Sequence, residues 1–176
     1  MKSLICFILI LIIILTFVLL GYRENFNNNN NNYVKIIWMY WEQGEENLKD
    51  EYNKMCIYGW RTLNPDWDIR VLNKKTALKY VPELKHYDHL IVQHRADLLR
   101  IKLLSKYGGV WADASTLPMK PLNEVINHID NGTNIFMYRF IPKKDVRMIS
   151  NWFIISKQPN NYLIKQWEIS FEKELN

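Results

Sequence analysis

The residues best suited to chemistry lie close together, in the stretch HRADLLRIKLLSKYGGVWADAS at residues 94–115. On a helix, Asp97 and Arg100 are three positions apart and therefore share one face. Asp97 can accept hydrogen bonds from hydroxyl groups, and Arg100 offers a planar set of donors to hydroxyl or phosphate oxygens. The same pair is also typical of a salt bridge that only orients a helix, so both interpretations stay open at this point.

Asp113 follows the apolar residues 110–112, which predict a short strand. Open α/β sheets bind ligands beyond the C-terminal ends of their strands. A carboxylate at that position can hold Mg²⁺ or Mn²⁺ against phosphate oxygens of a ligand. Ser115 would add a neutral oxygen, so Asp113 and Ser115 are the predicted metal ligands.

The elements that must position these residues alternate between strands and helices. Apolar runs rich in β-branched residues predict strands, and apolar residues at helical spacing predict helices. Gly108-Gly109 is typical of a helix end. The order of elements predicts an α/β layer fold. Strands are expected at residues 34–40, 67–72, 110–112, 134–141 and 150–156, and helices at residues 51–63, 75–80, 93–107, 122–129 and from 162 onward.

The stretch resembles the capsular polysaccharide synthesis proteins and, more distantly, the sugar transferases that carry a D-x-D motif. In that family a helix of the form S-D-x-x-R-x-x-x-L-x-x-x-G-G leads into a strand that ends in the acidic motif. The segments IIWMYWEQG (residues 36–44) and NPDWDIRVL (residues 64–72) resemble the family's first two strands, so the similarity covers residues 34–163. It implies a GT-A-like nucleotide-sugar-binding domain that moves a sugar from a nucleoside-diphosphate donor to a glycan or glycoconjugate acceptor.

The resemblance also implies roles for single residues. Trp38, Asp97, Arg100 and Gly109 would bind the donor, with Trp38 near its base and Trp41 as a second candidate at the same strand end. Asp113 and Arg100 would serve catalysis, with a divalent cation, Mn²⁺ or Mg²⁺, at Asp113 and Ser115.

Three features leave alternatives open. Asn151 could face the acceptor or simply begin a strand. Ser115 stands where the D-x-D motif has its second acid, and the chain ends at Asn176. A truncated, non-catalytic transferase-like protein that binds a glycan or a nucleotide is therefore the alternative function.

The first 32 residues differ in composition from the rest. Residues 4–20 (LICFILILIIILTFVLL) carry no charge and would span about 25 Å as a helix, whereas a cleaved signal peptide is the competing interpretation. We expect a membrane anchor at residues 1–22, an Asn-rich disordered tether at residues 23–32 and a glycosyltransferase-like domain at residues 33–176. Lys2 and the terminal amine predict a single-pass protein with a cytosolic N-terminus and a lumenal or extracellular domain.

The overall charge pattern argues against nucleic-acid binding. The formal net charge is +5, but the basic residues are scattered, and the chain shows no zinc spacing and no RNA-binding aromatic motif. The expected partners are therefore a nucleotide sugar, an acceptor and a lipid bilayer, and not a nucleic acid.

Overall fold

The computed structural model describes residues 33–129, 134–139 and 149–175. The predicted anchor and tether at residues 1–32 lie outside the described residues. From Tyr33 onward the chain forms one compact unit. Within the described ranges, no helix is long and apolar enough to cross a membrane.

A mixed sheet lies at the centre of this unit, and its five described strands have the order β2-β1-β3-β5-β4. β1 is parallel to both β2 and β3, whereas β5 is antiparallel to β3 and β4. The C-terminal ends of the three parallel strands therefore lie at one edge of the sheet. The strands are β1 (Ile36–Tyr40), β2 (Asp68–Leu72), β3 (Gly109–Ala112), β4 (Ile135–Arg139) and β5 (Ile149–Ser156).

The described helices connect the strands in the predicted alternation, which confirms the α/β fold class. Most bounds agree with the sequence prediction within two residues, and the helix expected at residues 122–129 is shorter than predicted. The α-helices are α1 (Glu51–Leu63), α2 (Lys74–Ala77), α3 (Val92–Tyr107), α4 (Leu122–Ile126) and α5 (Tyr162–Leu175), and 3₁₀ helices occupy Glu45–Asn47 and Pro82–Tyr87.

Both faces of the sheet are covered. Successive side chains of a strand point to opposite faces, so Ile37 and Met39 of β1 pack with residues of α1 and α4, whereas Trp38 packs with residues of α3 and α5. Burial on both sides explains why β1 is continuously apolar. α3 therefore lies directly on the sheet, and its residues can meet those at the end of β3.

Candidate functional site

The guanidinium of Arg100 joins Asp97 to Asp113. Its Nη1 donates to Asp97 Oδ1 at 2.9 Å, and its Nη2 donates to Asp113 Oδ1 at 2.8 Å. Asp97 and Arg100 lie one turn apart on α3, and Asp113 directly follows β3. The structure thus brings together three of the predicted site residues at the C-terminal end of a parallel strand.

The three charged groups differ in exposure. The side chain of Arg100 is 5% exposed, whereas those of Asp97 and Asp113 are 26% and 36% exposed. A buried guanidinium needs its charge balanced by partners that also satisfy its hydrogen bonds. Arg100 therefore holds the two carboxylates in place, and the carboxylates are the groups that a ligand can reach.

Two neighbours complete the site. The indole of Trp111 donates to Asp113 Oδ1 at 2.7 Å, and its ring centroid lies 4.9 Å from the Arg100 guanidinium. Asn151 of β5 donates from Nδ2 to Asp97 Oδ1 at 3.1 Å. The structure therefore places Asn151 beside Asp97, which the sequence predicts to bind the sugar donor. The sequence of β5 alone did not indicate this contact.

Burial shifts the pKa of Asp97 and the pKa of Arg100 in opposite directions. It raises the pKa of Asp97 above the usual range, and the negative charge of Asp113 acts in the same direction while Arg100 opposes both. Burial lowers the pKa of Arg100, against the effect of Asp113 and Asp97. A guanidinium still stays charged at neutral pH, since its ordinary pKa is far above that range.

A second ion pair lies at the same edge of the sheet. Arg95, in the first turn of α3, donates from Nη2 to Glu42 in the loop after β1. Its Nη1 donates to the carbonyls of Asp88 and Leu90 at 3.0 and 2.9 Å. Arg95 Nε and Glu42 Oε2 are buried without a hydrogen-bond partner among the described residues. Arg95 therefore fastens the loop after β1 to the start of the helix that carries Asp97, and sequence reasoning missed it.

The prediction that Trp38 lies at the donor base is wrong. Trp38 is fully buried, its indole donates to the Gly108 carbonyl at 2.9 Å, and its ring contacts Tyr80 and Arg70 at centroid distances of 5.1 and 5.0 Å. A base could stack on it only by displacing these neighbours. Trp41, just after β1, is only partly buried and is the tryptophan of this segment that keeps exposed surface.

Gly109 is the first residue of β3 and is buried within the sheet, so it is not open to a sugar donor. It is buried at a φ of +93°, and a Cβ atom there would lie 2.6 Å from the carbonyl oxygen of Ile36. The neighbouring Gly108 ends α3 at a φ of +68°, as its sequence predicts. Both glycines are therefore required by backbone conformation and close packing, and the predicted donor contact at Gly109 is corrected to this role.

Asp113 and Ser115, the predicted metal ligands, could hold a cation together with oxygen atoms of a bound ligand. Among the described residues, no group of three or more His, Cys, Asp or Glu side chains could hold a metal ion. Both side-chain hydrogen bonds of Asp113 within this part of the chain reach Oδ1, which leaves its Oδ2 to a cation. Ser115 is exposed two residues further along. This donor set fits an ion that a ligand's phosphates help to hold, and metal binding stays a prediction.

The fold is that of known glycosyltransferases. The solved structure of PaToxG Glycosyltransferase matches with a TM-score of 0.57 and 19% sequence identity, over 81% of this chain and 62% of that chain. The family described as "Capsular polysaccharide synthesis protein" matches residues 17–173. The chain belongs to this family, which confirms the resemblance seen in the sequence.

Curated relatives carry glycosyltransferase names. O-glycosyltransferase braB of Annulohypoxylon truncatum is 27% identical over 157 residues, which cover 79% of this chain and 37% of that protein. O-glycosyltransferase PaGT of Phomopsis amygdali is 24% identical, over 78% of this chain and 38% of its own. The chain therefore spans less than two fifths of the length of these relatives.

Proposed function

We propose that this chain is a glycosyltransferase that moves a sugar from a nucleoside-diphosphate donor to a glycan or glycoconjugate acceptor. The observation that carries the proposal is the Asp97–Arg100–Asp113 network at the C-terminal end of β3. Family membership and the names of the relatives support it. In the reaction the acceptor hydroxyl loses its proton to the solvent as its oxygen forms the new bond to the sugar, and the nucleoside diphosphate leaves with the electron pair of the broken sugar–phosphate bond.

The exposure of the carboxylates suggests their roles. Asp97 has one oxygen engaged by Arg100 and Asn151, and its partly exposed carboxylate can accept hydrogen bonds from ribose or sugar hydroxyls. Asp113 and Ser115 would hold Mg²⁺ or Mn²⁺ together with the donor diphosphate. That cation would neutralise the negative charge that develops on the diphosphate.

The setting at a membrane is part of the same proposal. Its support is the uncharged apolar run at residues 4–20 and the Asn-rich residues that follow it. With the N-terminus in the cytosol, the domain would act on acceptors at the lumenal or extracellular surface of the bilayer.

A donor screen tests the proposal. The full chain in detergent micelles is incubated with a panel of nucleotide sugars and Mn²⁺, and release of the nucleoside diphosphate is measured beside Asp113→Asn. One donor should be turned over by the wild type and at least ~30-fold more slowly by the variant. Absence of release for every donor, from a folded sample whose melting temperature no donor raises, would contradict the proposal.

The non-catalytic alternative has one observation in its favour. Ser115 stands where the D-x-D motif has its second acid, so of the two predicted metal ligands Asp113 alone carries a charge. A protein that only binds the nucleotide sugar would show a higher melting temperature with one donor, because a ligand of the native state stabilises it, and no release of diphosphate at any metal concentration. The donor screen therefore separates the two functions.

A further inference from the structure

An apolar groove lies on the side of the sheet that α1 and α4 cover, and we refer to it as the aromatic groove. It encloses about 350 Å³, which suits one small organic group and not a segment of a folded partner. Its main lining side chains are Trp60, Leu117, Met119, Tyr138, Trp152 and Phe153.

Large apolar side chains face this groove and remain exposed. The rings of Tyr138 and Trp152 are stacked, with centroids 4.9 Å apart and an angle of 12° between their planes. Tyr138 is 43% exposed and Met119 is 81% exposed. Apolar side chains clustered around a concave surface are typical of a binding site, whereas scattered exposed ones are not. The stacked pair offers a flat surface on which a second flat group can stack.

The aromatic groove adjoins the chain segment that carries Asp113, on the face of the sheet opposite α3. Asn151 donates to Asp97, and the next residue, Trp152, lines the groove. The backbone N–H of Asp113 donates to the carbonyl of Trp152 at 2.9 Å. Leu117 lies four residues after Asp113, at most about 14 Å along an extended chain. The groove thus lies within about 14 Å of Asp113, and a ligand held there would have to extend past the end of β3 to meet a sugar at that residue.

The pairing of β4 with β5 is irregular beside these residues. Met137 of β4 pairs with Ile154 of β5, but Arg139, two residues later, pairs with Ile149, so extra residues of β5 bulge between the two pairs. Bulges re-aim side chains and are frequent next to active sites. Asn151 and Trp152 lie within this irregular stretch, and as successive strand residues they contact Asp97 on one face and line the groove on the other.

The lining favours one class of ligand. Among the described residues that form it, Lys120 is the one charged side chain, and no carboxylate or carboxamide is present to bind the hydroxyls of a sugar. We infer that the aromatic groove binds the acceptor and selects acceptors whose hydroxyl is attached to a flat, apolar ring system. This inference rests on the proposed function and narrows its acceptor class.

Binding of 4-methylumbelliferone, a flat hydroxylated bicycle, tests the inference. The full chain is held in nanodiscs, empty nanodiscs serve as the blank, and affinity is measured by titration calorimetry beside methyl β-glucoside. Wild type should bind the bicycle and not the glucoside. Tyr138→Ser and Met119→Gln should each weaken binding about threefold to tenfold, the range of one stacking contact.

Two exposed residues outside the groove supply matched controls, Tyr58→Ser and Met55→Gln on α1. These variants should bind like wild type. Equal affinity in all four variants would overturn the inference, as would preference for the glucoside. A change of oligomeric state in Met119→Gln would also overturn it, because the groove would then be an interface between copies.

The donor screen keeps the two proposals separate. Turnover of a donor without binding in the groove refutes the acceptor class and leaves the proposed function intact. Groove binding that follows the expected variant pattern, without turnover of any donor, refutes the proposed function and leaves a site for flat apolar ligands.

Discussion

Asp113→Asn removes one charge from the site and keeps the size of the side chain. In the wild type, Asp113 Oδ1 accepts hydrogen bonds from Arg100 at 2.8 Å and from Trp111 at 2.7 Å. An amide oxygen can accept both, and Asp97 still balances part of the Arg100 charge. The variant should therefore lose only the difference in free energy between charged and neutral hydrogen bonds, which is about 1–2 kcal/mol. Solvent screening lowers this loss further, because the side chain of Asp113 is 36% exposed.

The effect on turnover should be larger. If the carboxylate of Asp113 helps to hold the cation against the donor diphosphate, its loss should cost at least ~2 kcal/mol of transition-state stabilisation, or about thirtyfold in kcat. Release of nucleoside diphosphate is measured at saturating donor over a metal titration, with thermal unfolding in parallel. The melting temperature should fall by only a few degrees.

Asp66→Asn is the matched control for this variant. Asp66 pairs with Lys35 at 2.5 Å, and both side chains are nearly half exposed. Such a surface pair contributes about 0–1 kcal/mol, and the pair has no contact with Arg100, so turnover should be unchanged. Wild-type turnover of Asp113→Asn at every metal concentration would refute the site and make Asp113 a residue that only terminates its strand.

Four further variants test the remaining assignments. Folding favours the protonated form of Asp97, whose pKa is raised by burial, so its ionised form lowers stability as pH rises above the usual value near ~3.9. Asp97→Asn should remove this pH dependence of the unfolding free energy, while donor KM rises more than kcat falls. Arg95→Lys loses the planar fork that reaches Glu42 with one nitrogen and two carbonyls with the other, so donor KM should rise about threefold to tenfold with kcat nearly unchanged. Ser115→Asp should lower the metal concentration at half-maximal turnover without increasing kcat. Trp38→Phe should lower the unfolding free energy by about 1–3 kcal/mol, because the buried Gly108 carbonyl loses the hydrogen bond from the Trp38 indole. Its affinity for the nucleotide sugar should stay at the wild-type value.

The wrong prediction for Trp38 arose because the position of a residue near the end of a strand does not show whether its side chain is exposed. Sequence reasoning placed this residue at a ligand because it stands near the end of an apolar strand. Which face its ring covers depends on what packs above the sheet, and here α3 and Tyr80 enclose it. In a strand that is buried on both sides, apolar residues on either face look alike in the sequence, so only packing separates Trp38 from Trp41.

The sequence by itself determined the local features of the protein. Helical spacing, apolar runs and the two glycines after α3 predicted the elements, because these signals act over a few residues. The Asp97–Arg100 contact was also predictable from local sequence, because residues three apart on a helix are neighbours. Family membership also followed from short segments of sequence and is confirmed.

Only the tertiary structure decided how distant residues meet. Asn151 reaches Asp97 across 54 positions of sequence, and Arg95 reaches Glu42 across 53. The pairing of β5 with β3 brings Asn151 beside Asp97 and places Trp152 in the aromatic groove on the opposite face. The sequence of a strand does not specify which strand it pairs with, whether the pair is parallel, or in what register. These depend on side-chain packing between segments far apart in the chain.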